Sequence, residues 1–232
     1  MRIEGGHRVV RGAARFAPEG LAALTRDDVP AAGEVLARAF HADPLWGAVF
    51  ADAPDREAIL RSFTAVPVRY SLRYGGLHAS SGHMEGVVAW VPGQRAEMSF
   101  WGLALSGALG PMVRIGQRYG GTLQQVFNPW TRARRQHMRG RRFVYVTVVG
   151  VAPEHQGQGI GRQLMTSLAG ASDRSGLPVY LETETEGNVR FYERFGFAVV
   201  ETITLPLVEL PTWLMVREPG AGADGVDGQA ES

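Results

Sequence analysis

The chain has 232 residues, 45% hydrophobic and 20% charged, which suits one large domain or two small ones with an ordinary buried core. It has no cysteine, which excludes disulfides, a thiolate nucleophile and a cysteine-based zinc site. The formal net charge of +1 gives no general attraction to nucleic acid, and no apolar run has the length of a membrane span. We therefore expect a cytoplasmic protein with no nucleic-acid or membrane partner.

Composition divides the chain into a central domain and two tails. Residues 1–20 are rich in Gly, Ala and Arg without apolar periodicity, and residues 218–232 contain few apolar residues. These patterns predict a flexible N-terminal tail, a single domain over residues 21–217 and a disordered C-terminal tail. The domain begins with a predicted strand at 21–24, followed by a helix-start signal at 25–28.

The next elements are a long helix and a hairpin. Apolar spacing predicts the second helix over 54–74, with a kink at Pro67. Two short strands follow at 77–80 and 86–91, joined by a turn. Trp90, in the second of these strands, is predicted to face the core.

Residues 94–142 carry the least information. The apolar segment 98–109 predicts a helix that breaks at Gly110-Pro111, and residues 112–138 predict one or two further helices interrupted near Asn128-Pro129. A basic run follows, which we interpret as a solvated helix end, with contact to a ligand phosphate or to RNA as alternatives. The run comprises Arg132, Arg134, Arg135, Arg139, Arg141 and Arg142.

A glycine-rich turn between a strand and a helix is the most informative stretch. Residues 143–151 are rich in β-branched and aromatic side chains, which predicts a strand with both faces buried. Gly157, Gly159 and Gly161 follow, and an apolar-periodic helix begins at Ile160. Glycines let the backbone approach a ligand closely, and the first helical turn offers unpaired N–H groups. The pattern therefore predicts a site for a phosphorylated ligand.

The residues of this turn leave three interpretations open. A Walker loop is excluded because no Gly-Lys-Ser/Thr follows and the chain has no lysine. A dinucleotide loop is the first possibility, with Glu182 as the ribose-binding acid, although residues 152–155 separate the strand from the glycines. The second is a loop for the pyrophosphate of acetyl-coenzyme A, and the third is an ordinary glycine-rich connection.

Two blocks resemble the signatures of the GNAT superfamily of N-acetyltransferases. The first is the order Gln156-x-x-Gly159-x-Gly161, and the second runs from Asn188 to a Gly-Phe pair ending at Phe197. Four segments are also similar to the actinobacterial group that includes puromycin N-acetyltransferase. These are Val-Gly-Val-x-Pro-x-His-Gln-Gly at 149–157, Leu-Glu-Thr at 181–183, Phe-Tyr-Glu-Arg-x-Gly-Phe at 191–197 and Thr-Trp-x-Met at 212–215.

The resemblance implies an α/β (α+β) chain of GNAT fold, with a mixed, mostly antiparallel sheet splayed between its fourth and fifth strands and flanked by helices. It implies acetyl-coenzyme A as cosubstrate and no metal. The pantetheine arm would lie in the splay and pair with the backbone of Val149 and Val151, while Gly150 would form a bulge that frees a donor. The pyrophosphate would be held by Gln156, Gly157, Gln158, Gly159, Ile160, Gly161 and Arg162.

The resemblance also implies roles near the acetyl group. Tyr192 is expected to give a proton to the sulfur, with plain aromatic packing as the alternative. Asn188 is expected to contact the pantetheine or a water, or to cap its helix. The fourth strand carries no carboxylate or histidine, so the predicted base is Glu182, which shares a face of the fifth strand with Glu184. Entry of the amine in its neutral form, without a base, is the alternative.

The acceptor side is implied to lie at residues 41–50 and in the helical connection 94–141. Leu45, Trp46 and Phe50 are expected either to line a pocket or to pack the second helix. The expected acceptor is a primary amine of a small molecule, for example an aminonucleoside or another antibiotic-like amine. A protein or peptide N-acetyltransferase and a non-catalytic acetyl-coenzyme A sensor are the competing functions, and the protein is expected to be a monomer or a homodimer.

Overall fold

The computed structural model describes residues 16–206 and 208–221. Their strands are β1 (Ala22–Ala23), β2 (Gly76–Ala79), β3 (Gly86–Pro92), β4 (Val144–Val151), β5 (Val179–Thr183), β6 (Phe197–Leu205) and β7 (Leu210–Arg217). Their α-helices are α1 (Val29–Ala39), α2 (Pro44–Val49), α3 (Arg56–Tyr74), α4 (Phe100–Ser106), α5 (Leu109–His137), α6 (Ile160–Ser175) and α7 (Glu186–Glu193). None of these helices combines the length and apolar character needed to span a bilayer.

The strands form one sheet in the order β1-β2-β3-β4-β5-β7-β6. Within the described ranges only β4 and β5 pair in parallel. Their pairing is limited to Val144 with Val179 and Tyr145 with Tyr180, although β4 continues to Val151. The two strands therefore separate beyond Tyr145, which confirms the predicted mixed sheet and its splay.

Helices cover both faces of this sheet. On β3, Val87, Ala89 and Val91 face a core shared with α1, α3 and α5, whereas Val88 and Trp90 face α6 and α7. All five side chains are buried. Burial on both faces explains why the strand reads as a continuous apolar run, without the alternation of a half-exposed strand.

The bulge predicted at Gly150 lies elsewhere. Ala89 of β3 pairs with Val148, and the next residue of β3 pairs with Val146, so Thr147 is the extra residue of β4. Its hydroxyl Oγ1 donates to the carbonyl oxygen of Ala89 at 3.1 Å. Gly150 pairs regularly instead, and its missing side chain lets α1 approach the strand. Glycine in a strand is favoured both at a bulge and where another element approaches closely. The residue type alone does not distinguish the two, and the prediction took the wrong one.

The helical connection before β4 also differs from the prediction. The break predicted at Gly110-Pro111 lies at residues 107–108 instead, between α4 and α5. The interruption predicted near Asn128-Pro129 is not present, because α5 runs through both Pro111 and Pro129. Pro111 lies in the first turn, where backbone N–H groups have no helical acceptor, so the ring removes no bond. The short helix α2 was not predicted, although Asp43 caps it by accepting from the backbone N–H of Trp46 at 3.0 Å.

The structure moves both tail boundaries. Phe16 is buried and its ring lies 4.8 Å from that of Trp90, so the packed chain begins before residue 21. At the other end, the backbone N–H of Gly220 donates to Asp173, a residue that also pairs with the buried Arg217. The rest of the predicted tails, residues 1–15 and 222–232, lies outside the described residues.

Replacement of Gly150 tests the close approach of α1. A Cβ at this position would lie 2.9 Å from the Cβ of Ala39 and 3.0 Å from a methyl carbon of Leu36. Gly150→Ala should therefore lower the free energy of unfolding by about 1–3 kcal/mol, measured by urea denaturation. Gly121→Ala is the control, because its Cβ in α5 would meet nothing within 4 Å and should leave stability unchanged or raised. Equal stability of the two variants would contradict this packing.

Candidate functional site

A cavity of about 900 Å³ begins where β4 and β5 separate. Val149 and Thr183 contribute one wall from the two strands, and Asn188 and Tyr192 contribute another from α7. The remaining walls come from α2, α3, α5 and residues 93–99. The splay of the sheet thus opens into a chamber built by the helical connections on one face.

The glycine turn lies outside this chamber, at the start of α6. Gly157 and Gly159 are exposed and have φ angles of 75° and 86°, which favour glycine over any residue with a Cβ. Gly159 occupies the N-cap position, and no side chain of the described residues caps the helix. The N–H groups in the first turn of α6 are therefore without a side-chain cap, at the positive end of a 16-residue helix.

The side chains of the turn bond mainly to the turn itself. Nε2 of Gln156 donates to the carbonyl oxygen of Val151 at 3.1 Å, and Nε2 of Gln158 donates to that of Glu154 at 2.9 Å. Gly161 packs against Phe191, since a Cβ there would lie 3.2 Å from its ring. The two glutamines thus brace the loop, which leaves ligand contact to its backbone.

The other residues predicted to bind the cofactor differ in whether their side chains line the cavity, pack in the core or are exposed. Val149 lines the cavity, whereas Gly150 faces α1 and Val151 packs in the core on the α6 side. Ile160 is half-buried at the first position of α6, and Arg162 is exposed two positions further along the helix. The backbone of the loop and strand, more than these side chains, faces the space that a ligand would occupy.

Helix α7 directs Asn188 and Tyr192 to the cavity. The hydroxyl of Thr185 accepts from the backbone N–H of Asn188 at 3.2 Å and is the N-cap, so the prediction of Asn188 as a possible cap is wrong. Tyr192 lies one turn further on the same helix face, with its ring also packed on Phe197. Burial and the nearby Glu184 carboxylate raise the pKa of Tyr192, so the phenol stays protonated at neutral pH.

Glu182, the predicted base, is part of a buried ion pair. Its Oε1 lies 3.2 Å from Nη1 of Arg134, and the two side chains are 3% and 7% exposed. The guanidinium also lies over the ring of Tyr145, 4.5 Å from its centroid. Burial raises the pKa of Glu182 while Arg134 opposes that rise, so one oxygen of this carboxylate is committed to a cation.

Glu184 has a different environment on the same side of the strand. It lines the cavity and makes no ion pair with any residue that the structure describes. Burial raises its pKa well above the ordinary value, and the charges of Asp43 and Glu182 raise it further. A carboxyl whose pKa is raised by burial and that no cation holds is a candidate general base.

Arg134 was missed by the sequence analysis, which assigned the basic run to solvent. The ion pairs of Arg135 with Glu97 and of Arg141 with Glu218 are largely exposed, as that interpretation expects. A usable signal existed for Arg134, because it continues the helical spacing of the buried residues of α5. These are Tyr119, Leu123, Val126 and Trp130.

Aromatic rings form the wall of the cavity away from the strands. Trp46 lies 4.2 Å from Phe63 and 6.2 Å from Trp130, measured between ring centroids, and all three line the cavity together with Phe127. Leu45 and Phe50 are instead fully buried in the core. Of the three predicted wall residues, only Trp46 therefore lines the cavity.

The dinucleotide interpretation does not fit this arrangement. A dinucleotide-binding fold has a mostly parallel sheet, whereas the sheet in the described ranges is mostly antiparallel. The proposed ribose ligand, Glu182, is held by Arg134. Over the described residues there is also no group of three or more His, Asp or Glu side chains placed to hold a metal.

Comparisons with known proteins agree with this fold. The profile of the family described as "Acetyltransferase (GNAT) domain" matches residues 126–199. An uncharacterized N-acetyltransferase of Schizosaccharomyces pombe is 38% identical over 77 residues, which is 32% of this chain and 31% of that protein. The match thus spans about a third of the relative.

Two solved structures show the same fold over most of the chain. The polyamine N-acetyltransferase of Drosophila melanogaster, described as forming N-acetylagmatine, has a TM-score of 0.60 and 14% identity, covering 85% of this chain and 98% of its own. An acetyltransferase of Corynebacterium glutamicum, described as related to a histone acetyltransferase, has a TM-score of 0.56 and 19% identity, covering 86% and 95%.

The chain therefore shares its fold with solved acetyltransferases. More particularly, residues 126–199 match the acetyltransferase (GNAT) domain family, over the region that holds the two signature blocks. The closer relation to the puromycin N-acetyltransferase group stays a prediction.

The buried ion pair can be tested by removing its cation. Arg134→Met leaves the carboxylate of Glu182 buried without a partner and should destabilise the protein by roughly 3–5 kcal/mol at pH 8. The loss should shrink as the pH falls towards 5, because the buried carboxyl has a raised pKa and then takes a proton. Urea denaturation at both pH values measures this difference.

Two further variants control this test. Arg134→Met/Glu182→Leu should recover much of the lost stability, since no unpaired charge remains. Arg135→Met changes the neighbouring exposed arginine and should have little effect. A pH-independent loss that the double variant does not restore would show that Arg134 acts through packing alone.

Proposed function

We propose that the protein is an acetyl-coenzyme A-dependent N-acetyltransferase that acetylates a primary amine of a small molecule by direct transfer. One observation carries the proposal. A chamber opens from the gap between β4 and β5 and is lined by a protonated tyrosine, Tyr192, and by the Glu184 carboxyl, which has no ion pair among the described residues. These are the two proton-transferring groups that acetyl transfer from a thioester to an amine requires.

The exposed turn and the separated strands suit the cosubstrate. The backbone N–H groups at Gly159, Ile160 and Gly161 would bind the pyrophosphate at the start of α6. Beyond Tyr145 the edge of β4 that faces β5 has no strand partner, so its backbone groups are available to pantetheine. Val149, which lines the cavity, lies on this free edge.

The chemistry follows from these placements. The amine arrives as an ammonium ion and gives one proton to Glu184. Its nitrogen then forms a bond to the thioester carbonyl carbon, while a backbone N–H of β4 stabilises the oxygen that gains negative charge. The carbon–sulfur bond breaks, and the sulfur takes its proton from Tyr192. The new amide nitrogen loses a second proton, which restores the tyrosine.

Glu184 replaces Glu182 as the proposed base. Both line the cavity, Glu182 from β5 and Glu184 from the residue that follows the end of this strand. Proton transfer to Glu182 would weaken its contact with Arg134 and leave a buried guanidinium without its partner. Protonation of Glu184 breaks no ion pair, because no cation holds this carboxylate among the described residues.

The preference for a small molecule rests on the shape of the cavity. A peptide substrate needs an extended groove, whereas here α5, α3 and residues 93–99 wall the chamber beyond the gap. The named activities of the two structural neighbours differ, one acting on polyamines and one related to a histone enzyme, and do not decide the matter. An aminonucleoside or another antibiotic-like amine is a narrower proposal within this class.

Coenzyme A binding and turnover of Tyr192→Phe test the function. Wild-type protein should bind coenzyme A in isothermal titration and release thiol from acetyl-coenzyme A when a suitable amine is present. Tyr192→Phe should keep that affinity and lose roughly 10²-fold in kcat, because only the proton donor to sulfur is removed. Tyr119→Phe, which removes a buried hydroxyl outside the cavity, is the control. Absence of coenzyme A binding would refute the proposal.

The pH dependence of Glu184→Gln tests the base. At pH 7.5 this variant should lose roughly 10²-fold in kcat/KM, because the amine can no longer give up its proton. The loss should diminish towards pH 10, where the amine is already neutral in solution. In the wild type, activity should fall with decreasing pH at a value well above that of an ordinary carboxyl, since the pKa of Glu184 is raised. A larger loss in Glu182→Gln would return the role to Glu182.

A further inference from the structure

Two carboxyl side chains that line the cavity form no salt bridge with any residue that the structure describes. These are Asp43, at the N-terminus of α2, and Glu184, just beyond β5. They lie close enough for the charge of Asp43 to act on Glu184. Neither forms an ion pair with a side chain in residues 16–206 or 208–221. Two neighbouring buried carboxylates repel each other and are stabilised by a cation placed between them.

Asp43 is held in position by the protein but not neutralised. Its carboxylate accepts the backbone N–H of Trp46, and burial raises its pKa. The cation that acts on it is Arg56, whose Nη2 atom donates to the carbonyl oxygen of His41 at 2.7 Å. The carboxylate thus keeps acceptor capacity that faces the cavity.

The other two carboxylates of the cavity are held by arginines, whereas Arg95 keeps its positive charge and stacks on an aromatic ring. Glu97 pairs with Arg135, and Glu182 pairs with Arg134. Arg95 lies over the ring of Tyr74, 4.7 Å from its centroid. Within the part of the chain that the structure describes, Asp43 and Glu184 are therefore the cavity carboxylates that remain available to form an ion pair with a bound cation.

The rest of the chamber suits an apolar body. One wall of the chamber, built by α2, α3 and α5, carries a continuous set of aromatic rings. These are Trp46, Phe63, Phe127 and Trp130. Flat aromatic faces favour apolar or aromatic groups and tolerate a neighbouring ammonium. No further unpaired carboxylate lines this wall, as far as the described residues go, so a second ammonium group would gain no ion pair there.

We propose, building on the N-acetyltransferase function above, that the acceptor is a monoamine with an apolar or aromatic body. Its ammonium group binds between Asp43 and Glu184, and its body packs against the rings of Trp46, Phe63 and Trp130. Asp43 binds the ammonium group, and Glu184 then takes the proton. The site thereby selects against polyamines and against peptides, whose polar backbones find few partners on the aromatic wall.

The test compares three amines in the thiol-release assay. The probes are 2-phenylethylamine, 1,4-diaminobutane and a tetrapeptide with a free N-terminus. The value of kcat/KM should be at least roughly tenfold higher for 2-phenylethylamine than for either of the others, because only this probe pairs one ammonium with an apolar body. A higher value for 1,4-diaminobutane or the tetrapeptide would overturn the acceptor assignment.

A variant of Asp43 separates binding from chemistry. Asp43→Asn keeps a side chain that can cap α2, so the fold should be retained. Its KM for 2-phenylethylamine should rise roughly tenfold or more, with kcat changed much less and coenzyme A affinity unchanged. Asp55→Asn is the matched control, because Asp55 caps α3 in the same way but is exposed and does not line the cavity.

The outcomes distinguish the two proposals. An unchanged KM in Asp43→Asn, with turnover intact, would overturn the acceptor assignment and leave the N-acetyltransferase function standing. Binding of coenzyme A without acetylation of any of the three amines or of a wider amine panel would overturn both. A raised KM in Asp43→Asn but not in Asp55→Asn, together with preference for 2-phenylethylamine, would support both.

Discussion

The separation of β4 from β5 after two paired residues is the constraint on which the site depends. Parallel strands that continued side by side would satisfy each other's backbone groups and close the sheet. Here the free edge of β4 and the adjacent cavity leave polar backbone beside an open space, which costs free energy unless water or a ligand pairs with it. An extended ligand arm in the gap would satisfy these groups, which explains why the sheet can remain open in a chain with a well-packed core.

The two glutamates at the end of β5 differ in the charged groups that surround them. Glu182 is balanced by Arg134 from α5, and that pair fixes the helix against the strand near the Tyr145 ring. Glu184, two residues further along the chain, has no such partner among the described residues and shares the cavity with Asp43. The two carboxyl groups therefore lie in different environments, which is the basis for proposing different roles for them.

Much of the fold and of the cosubstrate side could be predicted because the signals are local. Gly157 and Gly159 adopt left-handed φ angles that their type already suggests, and the helix after them follows from apolar spacing. The i, i+4 spacing that places Asn188 and Tyr192 on one face of α7 can likewise be read from a short stretch of sequence. The mixed, mostly antiparallel sheet and its splay came from a resemblance that rests on these same blocks.

By itself the sequence determined the strands and the helices other than α2 and the connection before β4, together with the glycine turn and the position of the tyrosine, since each depends on neighbours in the chain. Only the tertiary structure decided that Arg134 points inwards to Glu182, that Asp43 lies near Glu184, and that the bulge of β4 falls at Thr147. Asp43 and Glu184 are 141 positions apart, and their mutual repulsion exists only once α2 and β5 border the same cavity. Packing therefore determines the different environments of Glu182 and Glu184, because burial and the nearest charge set the protonation state of each group.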